Sequence, residues 1–259
     1  MEQTNGYSVL LKTPAGVSSV DSSRQVSPSY PDLSDILAKI GPLPEEALFL
    51  GMASDRLPVL LNLHDPVPGP MLITGDSGSG KTAFLQMVTA AAERKFRTEE
   101  LQVAVLTPCP EEWRALKGIV NLVGVFAPGE QPANDLLVSM ATWAHANKAT
   151  KQPILLLVDG LESAAQMDPD TVSVFRWLLF RGPAARVWPL VTMNAEQCGR
   201  MLAWIEMFHT RVFGRIANPK LADALGADQE SAVDQLQVCR QFVLREHGQW
   251  LRFTIPGLS

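Results

Sequence analysis

Cysteine is scarce and oddly numbered in this chain. Cys109, Cys198 and Cys239 are the only three among 259 residues, widely spaced and without a CxxC pair. That argues against a disulfide scaffold or a zinc ribbon and fits a reducing compartment. Histidine is as thin: His64, His145, His209 and His247 form no HExxH or comparable ligand pattern. Long hydrophobic runs are missing too. The apolar stretches around 119–127, 153–158 and 188–193 fall far short of the ~20 residues that cross a bilayer. The N-terminal "MEQTNGYSVLLKTPAG" lacks a basic start followed by an apolar run, so neither a membrane span nor a signal peptide is expected, and the expected location is the cytoplasm. An excess of positive charge is also absent. Lys and Arg total 22 against 27 Asp and Glu, a net charge of −5, which is not the balance of a protein coated for nucleic acid. A small basic groove would still fit inside an acidic total.

The chain does contain enough apolar material for a core, at 46% hydrophobic residues, and its 19% charge is too low for wholesale disorder. Residues 1–30 are rich in Ser, Thr, Gln, Gly and Pro and read as a flexible tail, with "YSVLLK" able to dock as a short strand. Residues 31–70 read as a lead-in: a short amphipathic helix with Leu33, Ile36, Leu37 and Ile40 on one face, stopped at Gly41, then a β-hairpin near 47–50 and 58–62. From 71 to 259 apolar strands alternate with helices. Strands are expected at 71–75, 101–107, 121–127, 154–159 and 187–194, and helices at about 81–95, 110–117, 132–147, 169–180 and 195–205. Strands that are apolar nearly throughout imply a mainly parallel sheet covered by helices on both faces, an α/β fold. The last stretches, "RQFVLREHG" and "QWLRFTIPG", read as an antiparallel hairpin turning at His247-Gly248.

"GDSGSGKT" fits G-x-x-x-x-G-K-[ST] in full. Gly75, Asp76, Ser77, Gly78, Ser79 and Gly80 form a loop whose backbone N–H groups can turn inward around phosphate oxygens. The helix that follows aims its N-terminus at the same point. Lys81 supplies a cation to the terminal phosphates, and the Thr82 hydroxyl is a candidate ligand for Mg²⁺. Asp159 ends the apolar run "ILLLVD", and a parallel sheet gathers such strand ends on one edge beside Thr82 and the metal. Capping the next helix is the plainer role for that carboxylate.

Gly160 follows, where many motor ATPases keep a water-activating glutamate, so Glu162 is the substitute base if the loop bends at Gly160. Asn194 ends the "PLVTMN" strand, where it either orients water and senses the γ-phosphate or starts the next helix; Thr192 is a weaker candidate. Arg211 and Arg215, four apart, share a strand face, and either one is a surface arginine or a finger offered to a neighbouring subunit. The basic stretches "ERKFR" and "ANKATKQP", the latter with Lys148 and Lys151, lack interleaved aromatics and read as a helix end and a loop.

With these residues in place the chain resembles the FtsK/HerA superfamily of P-loop ATPases, ring-forming motors that pump DNA. The likeness runs over about residues 47–255: "FLGMASDRLPVLLNLHDPVPGPMLITGDSGSGKT", "ILLLVDG", "WPLVTMN", "HTRVFGRIANPKLADALGA" and "GQWLRFTIPG" follow that family's order. It implies a RecA-like sheet and ATP with Mg²⁺ as ligands. It assigns Lys81 and Thr82 to phosphate and metal, Asp159 to the metal, Asn194 to the sensor position and Arg211 to a contact in trans. It also implies a homo-oligomer such as a hexameric ring, with DNA as a partner and no membrane. The tail is a candidate docking peptide for a protein partner. Asp159-Gly160 departs from the Asp-Glu common in that family. "LLLVDGLES" is also similar to the second motif of STAND-type signalling proteins, which use nucleotide as an assembly switch, so an ATP-binding, hydrolysis-poor switch is the alternative.

Overall fold

The computed structural model describes residues 31–146, 152–246 and 248–258. The tail 1–30, Lys148, Lys151 and the turn residue His247 lie outside the described residues.

Ten strands form one sheet in the order β2-β1-β10-β9-β8-β3-β7-β6-β4-β5. Their ranges are β1 Ala47–Ala53, β2 Pro58–Asn62, β3 Met71–Gly75, β4 Gln102–Leu106, β5 Leu122–Phe126, β6 Ile154–Asp159, β7 Val187–Asn194, β8 Thr210–Phe213, β9 Gln241–Glu246 and β10 Gln249–Thr254. The six strands from β8 to β5 pair in parallel. β9, β10, β1 and β2 continue the same sheet antiparallel, so the N-terminal hairpin and the C-terminal hairpin are joined to each other through β1 and β10.

Alternation along each central strand sends side chains into two layers. Leu155 and Leu157 pack into the layer that holds α1 (Leu33–Ile40) and α2 (Lys81–Lys95). Ile154, Leu156 and Val158 pack into the layer with α3 (Gln131–Ala146) and α5 (Pro169–Arg181). Both faces of β6 are therefore buried, which is why its sequence is unbroken apolar rather than alternating. Helix starts follow local chemistry. Asp32 caps α1 by accepting from Ser34 N at 2.9 Å, and Asp168 caps α5 by accepting from Thr171 N at 2.9 Å, ahead of Pro169. Phe84 on α2 is fully buried and lies against Phe242 of β9 and Phe253 of β10, with ring centroids 5.1 and 6.2 Å away. Truncating such a side chain costs about 3–5 kcal/mol, so the phosphate-loop helix and the C-terminal hairpin are strongly tied.

Two expected helices take another form. Pro110–Leu116 is a 3₁₀ helix. The stretch expected as one helix near 195–205 is a 3₁₀ segment, Ala195–Arg200, followed after Met201 by the single turn α6, Leu202–Ile205. Met201 at φ −106° and ψ 12° leaves the helical region and breaks the run, and Gly199 just before it is a poor helix former.

Candidate functional site

The site lies where the parallel strands end. The loop between β3 and α2 bends back over the strand, and the structure holds it from behind. Asp76 N donates to Arg215 O at 2.8 Å, while Asp76 Oδ2 accepts from Ala217 N at 2.8 Å. The Asp76 carboxylate thus clips the loop to the segment after β8 instead of facing the cavity. Gly78 and Gly80 sit at φ +75° and +100°, backbone that glycine adopts without strain.

In front is a cavity of about 640 Å³, lined by Ser77, Gly78, Gly80, Lys81 and Thr82 from the loop side. Lys81 is mostly buried, and its ammonium donates to the carbonyls of Gly75 at 3.1 Å and Asp76 at 2.8 Å. Burial pushes its pKa below the ordinary lysine value, and the charges of Glu162, Asp159 and Asp76 oppose that fall. Among the described residues Lys81 is the one lysine or arginine that lines the cavity, beside the carboxylates Glu112, Asp159 and Glu162, so a polyanion entering it would meet a single ammonium and a helix N-terminus.

The parallel register places Asp159 of β6 beside Thr192 of β7. Thr192 Oγ1 donates to Asp159 Oδ1 at 2.9 Å, and Thr82 Oγ1 donates to the same oxygen at 3.2 Å. Asp159 Oδ2 accepts no hydrogen bond among the described residues. A hydroxyl and a carboxylate converging on one point are hard oxygen donors. This small set fits Mg²⁺, which takes one or two protein ligands and completes its shell with phosphate oxygens and water. No cluster of three or more His, Cys, Asp or Glu able to hold a metal by itself occurs among the described residues.

Gly160, at φ +115°, turns the chain off β6 into the short helix α4, Leu161–Ala164. That turn swings Glu162 back toward β7, where its Oε1 accepts from Asn194 N at 2.7 Å. Both Glu162 and Asn194 line the cavity. The register of β3 with β7 sets Asn194 level with Gly75, so the end of β7 meets the phosphate loop directly.

Arg211 is the candidate that the structure does not bring to this edge. Its guanidinium turns inward and donates to the carbonyls of Phe208 at 3.2 Å, Leu225 at 2.9 Å and Ile205 at 3.2 Å. All three nitrogens are committed, and the side chain serves as a brace under α7 (Pro219–Leu225) rather than a finger. Arg215 does not share its strand face, because β8 ends at Phe213; it is exposed and donates to Asp234 O at 3.1 Å.

Sequence reasoning passed over two walls of the cavity. One is Pro108, Cys109 and Glu112 after β4; the other is Cys239, just before β9. Cys239 N donates to Ser79 O at 2.9 Å across 160 positions of sequence, a contact that no local pattern announces.

Known folds agree with this arrangement. Thermomonospora curvata EccC, solved as ATPases 2 and 3 in complex with a signal sequence peptide, superposes with a TM-score of 0.65 at 15% identity, covering 86% of this chain and 42% of that one. EssC (ATPases 2 and 3) from Geobacillus thermodenitrificans gives 0.64 at 10% identity over 84% of this chain and 48% of its own. The monomer form of the pCW3 conjugation coupling protein TcpA, with ATPγS, gives 0.61 at 13% identity over 82% and 66%. This chain thus spans less than two thirds of each of the three. These neighbours are FtsK/HerA-type P-loop ATPases, so the resemblance read from the sequence holds at the level of fold. No characterised protein matches by sequence. No helix among the described residues is long and apolar enough to cross a membrane. The NACHT domain model matches residues 69–229, from just before β3 to beyond α7 and across more than half of the 259 residues. The phosphate loop, Asp159 and Asn194 all fall inside that span, and the chain belongs to the NACHT domain family of P-loop NTPases.

Proposed function

We propose that this chain binds ATP with Mg²⁺ and hydrolyses it, acting as an FtsK/HerA-like motor domain. The observation that carries the reading is the seat of Glu162: its carboxylate faces the same cavity as Lys81 and Asp159 and is held there by Asn194 N. Gly160 cannot supply a base, and the bend it permits delivers one two residues later. In this reading the loop N–H groups and Lys81 hold the β- and γ-phosphates. Thr82 and Asp159 hold Mg²⁺, which supplies charge neutralisation across the phosphates. Glu162 orients water in line with the γ-phosphate and takes its proton as the phosphorus–oxygen bond to ADP breaks. Asn194 offers its side chain to the attacked phosphate.

The motor completes its sites between neighbours in a homo-oligomeric ring and moves duplex DNA, as the fold likeness to FtsK/HerA-type ATPases suggests. A trans cation in such a ring comes from a residue other than Arg211, whose nitrogens are occupied within the protomer. The tail 1–30 is the docking segment for a protein partner. One observation favours a second reading, a slow nucleotide-gated switch: Gly160 follows Asp159 directly, and Glu162, two residues on, has Oε1 taken by Asn194 N, which leaves Oε2 to meet water.

The test is steady-state ATP hydrolysis with and without duplex DNA, in wild type, Lys81→Ala and Glu162→Gln. Loss of about 10²-fold or more in both variants, with stimulation by DNA, is the expected result for a positioned general base and phosphate lysine. Tight ATP binding without Lys81-dependent turnover would sink the motor and leave the switch.

A further inference from the structure

We infer that the turn at residues 237–240 is the nucleoside wall of the site, the surface against which the base and ribose of the bound nucleotide pack. The inference rests on the proposed binding of a nucleoside triphosphate and adds where its nucleoside half lies.

Sheet order decides the direction. The phosphate loop belongs to β3, and the groups proposed for the terminal phosphate, Asp159 and Glu162, lie on the β7 and β6 side of it. The turn carrying Cys239 leads into β9, which lies on the opposite side, beyond β8. A triphosphate whose last phosphate faces Asp159 therefore runs back across the loop toward Cys239. The other open wall, at Pro108 and Cys109, follows β4 and lies past β6, beyond the terminal phosphate.

The turn is built to stay against the loop. Cys239 N donates to Ser79 O at 2.9 Å, and Cys239 Sγ donates to Gly78 O at 3.4 Å. A Cβ on Gly80 would stand 2.4 Å from Cys239 Cα, so the two backbones pack with no side chain between them. Cys239 itself sits at φ +57°, in left-handed backbone that a non-glycine residue occupies only when its surroundings hold it there. Ile255 N donates to Arg240 O at 2.8 Å, and Gln237 N donates to Gln241 Oε1 at 3.0 Å, which fix the turn's far side. Despite these ties Cys239 is exposed and lines the cavity. Its N–H is already used by Ser79 O, so at this residue the wall offers an apolar, polarisable face. Sulfur packs favourably against an aromatic ring, which suits the face of a base.

Two readouts test the assignment, with ATP binding measured independently by calorimetry. First, N-ethylmaleimide alkylation is followed residue by residue by mass spectrometry. ATP at about 100 times its Kd leaves about one site in a hundred open, so Cys239 alkylation should slow by up to ~100-fold. Second, photolysis of bound 8-azido-ATP should attach the base to the peptide that contains residues 237–241, in competition with ATP. Alkylation of Cys239 unchanged by bound ATP would overturn the inference, as would competable photoadducts on the Pro108–Glu112 segment or none at all. Absence of ATP binding by calorimetry would instead remove the proposed function, and this inference with it.

Discussion

Thr192→Val tests the centre of the proposed site with a change of one atom's chemistry. Thr192 is 2% exposed and donates its hydroxyl to Asp159 Oδ1 at 2.9 Å. Valine keeps the β-branched shape in the strand and removes only the donor. A hydrogen bond to a charged group contributes about 1.5–3 kcal/mol. The lower end applies here, because Thr82 still donates to the same oxygen at 3.2 Å and Asp159 is only half-buried. A loss of about 1.5 kcal/mol in the placement of that carboxylate corresponds to about a tenfold weaker affinity. The loss should appear only where Asp159 acts through the metal. The assay is titration of a fluorescent ATP analogue in Mg²⁺ and in EDTA. We expect about tenfold weaker binding in Mg²⁺, little change in EDTA, and recovery in Thr192→Ser, which restores the donor. Equal losses with and without Mg²⁺ would mean general damage to the sheet edge. No loss in Mg²⁺ would refute Thr192 as the group that positions Asp159.

Three further outcomes follow from particular contacts. Gly80→Ala forces a Cβ to within 2.4 Å of Cys239 Cα at φ +100°; left-handed strain alone costs roughly 1–2 kcal/mol, so its urea midpoint should fall well below wild type, and an unchanged midpoint would contradict the packing described. Arg211→Ala leaves three carbonyls without their donor and should cost about 3 kcal/mol in chemical denaturation; a stable variant whose ATP hydrolysis recovers on mixing with wild type would restore the finger role. Burial lowers the Lys81 pKa below 10.5, so the folded protein bears the cost of a buried ammonium at neutral pH and is relieved of it as pH rises toward that value, where the unfolded chain still holds its proton. Lys81→Met removes that charge together with the donor to the Gly75 and Asp76 carbonyls, so its stability relative to wild type should fall as pH rises from neutral toward 10.5, whereas a difference independent of pH would assign the effect to packing and the lost hydrogen bonds.

The parts of this fold that could be read in advance are those whose cause is local. β6 and β7 end where their mainly apolar runs end, at Asp159 and Asn194, because both faces of each strand are covered; the one polar residue inside them, Thr192, is satisfied by Asp159. α5 begins at Pro169 because Asp168 can cap it. The 3₁₀ segment at Ala195–Arg200 could not be read this way, since only Gly199 among its residues disfavours a helix and the break itself lies in the conformation of Met201. Arg211 misled for a similar reason. Strand spacing says which face a side chain leaves from but not whether the guanidinium then curls under a helix to reach Leu225 O. The phosphate loop was legible because its chemistry fits in eight residues, "GDSGSGKT". The Cys239 wall was not, because it exists only once β9 has been laid beside β8.

The order of strands in the sheet also bears on how the protein is made. β3 carries the phosphate loop and is complete by Gly75, yet its two neighbours are β7, from Val187, and β8, ending at Phe213. β1 pairs locally with β2, but its other neighbour, β10, ends at Thr254. During synthesis the loop emerges 112 residues ahead of the first residue of β7, the earlier of the two strands that flank β3. Such non-local pairing makes for slow, late consolidation. Nucleotide thus cannot guide the early steps; it can only reward a sheet already closed, so a nascent chain stalled before residue 187 should show no nucleotide-dependent protection from protease.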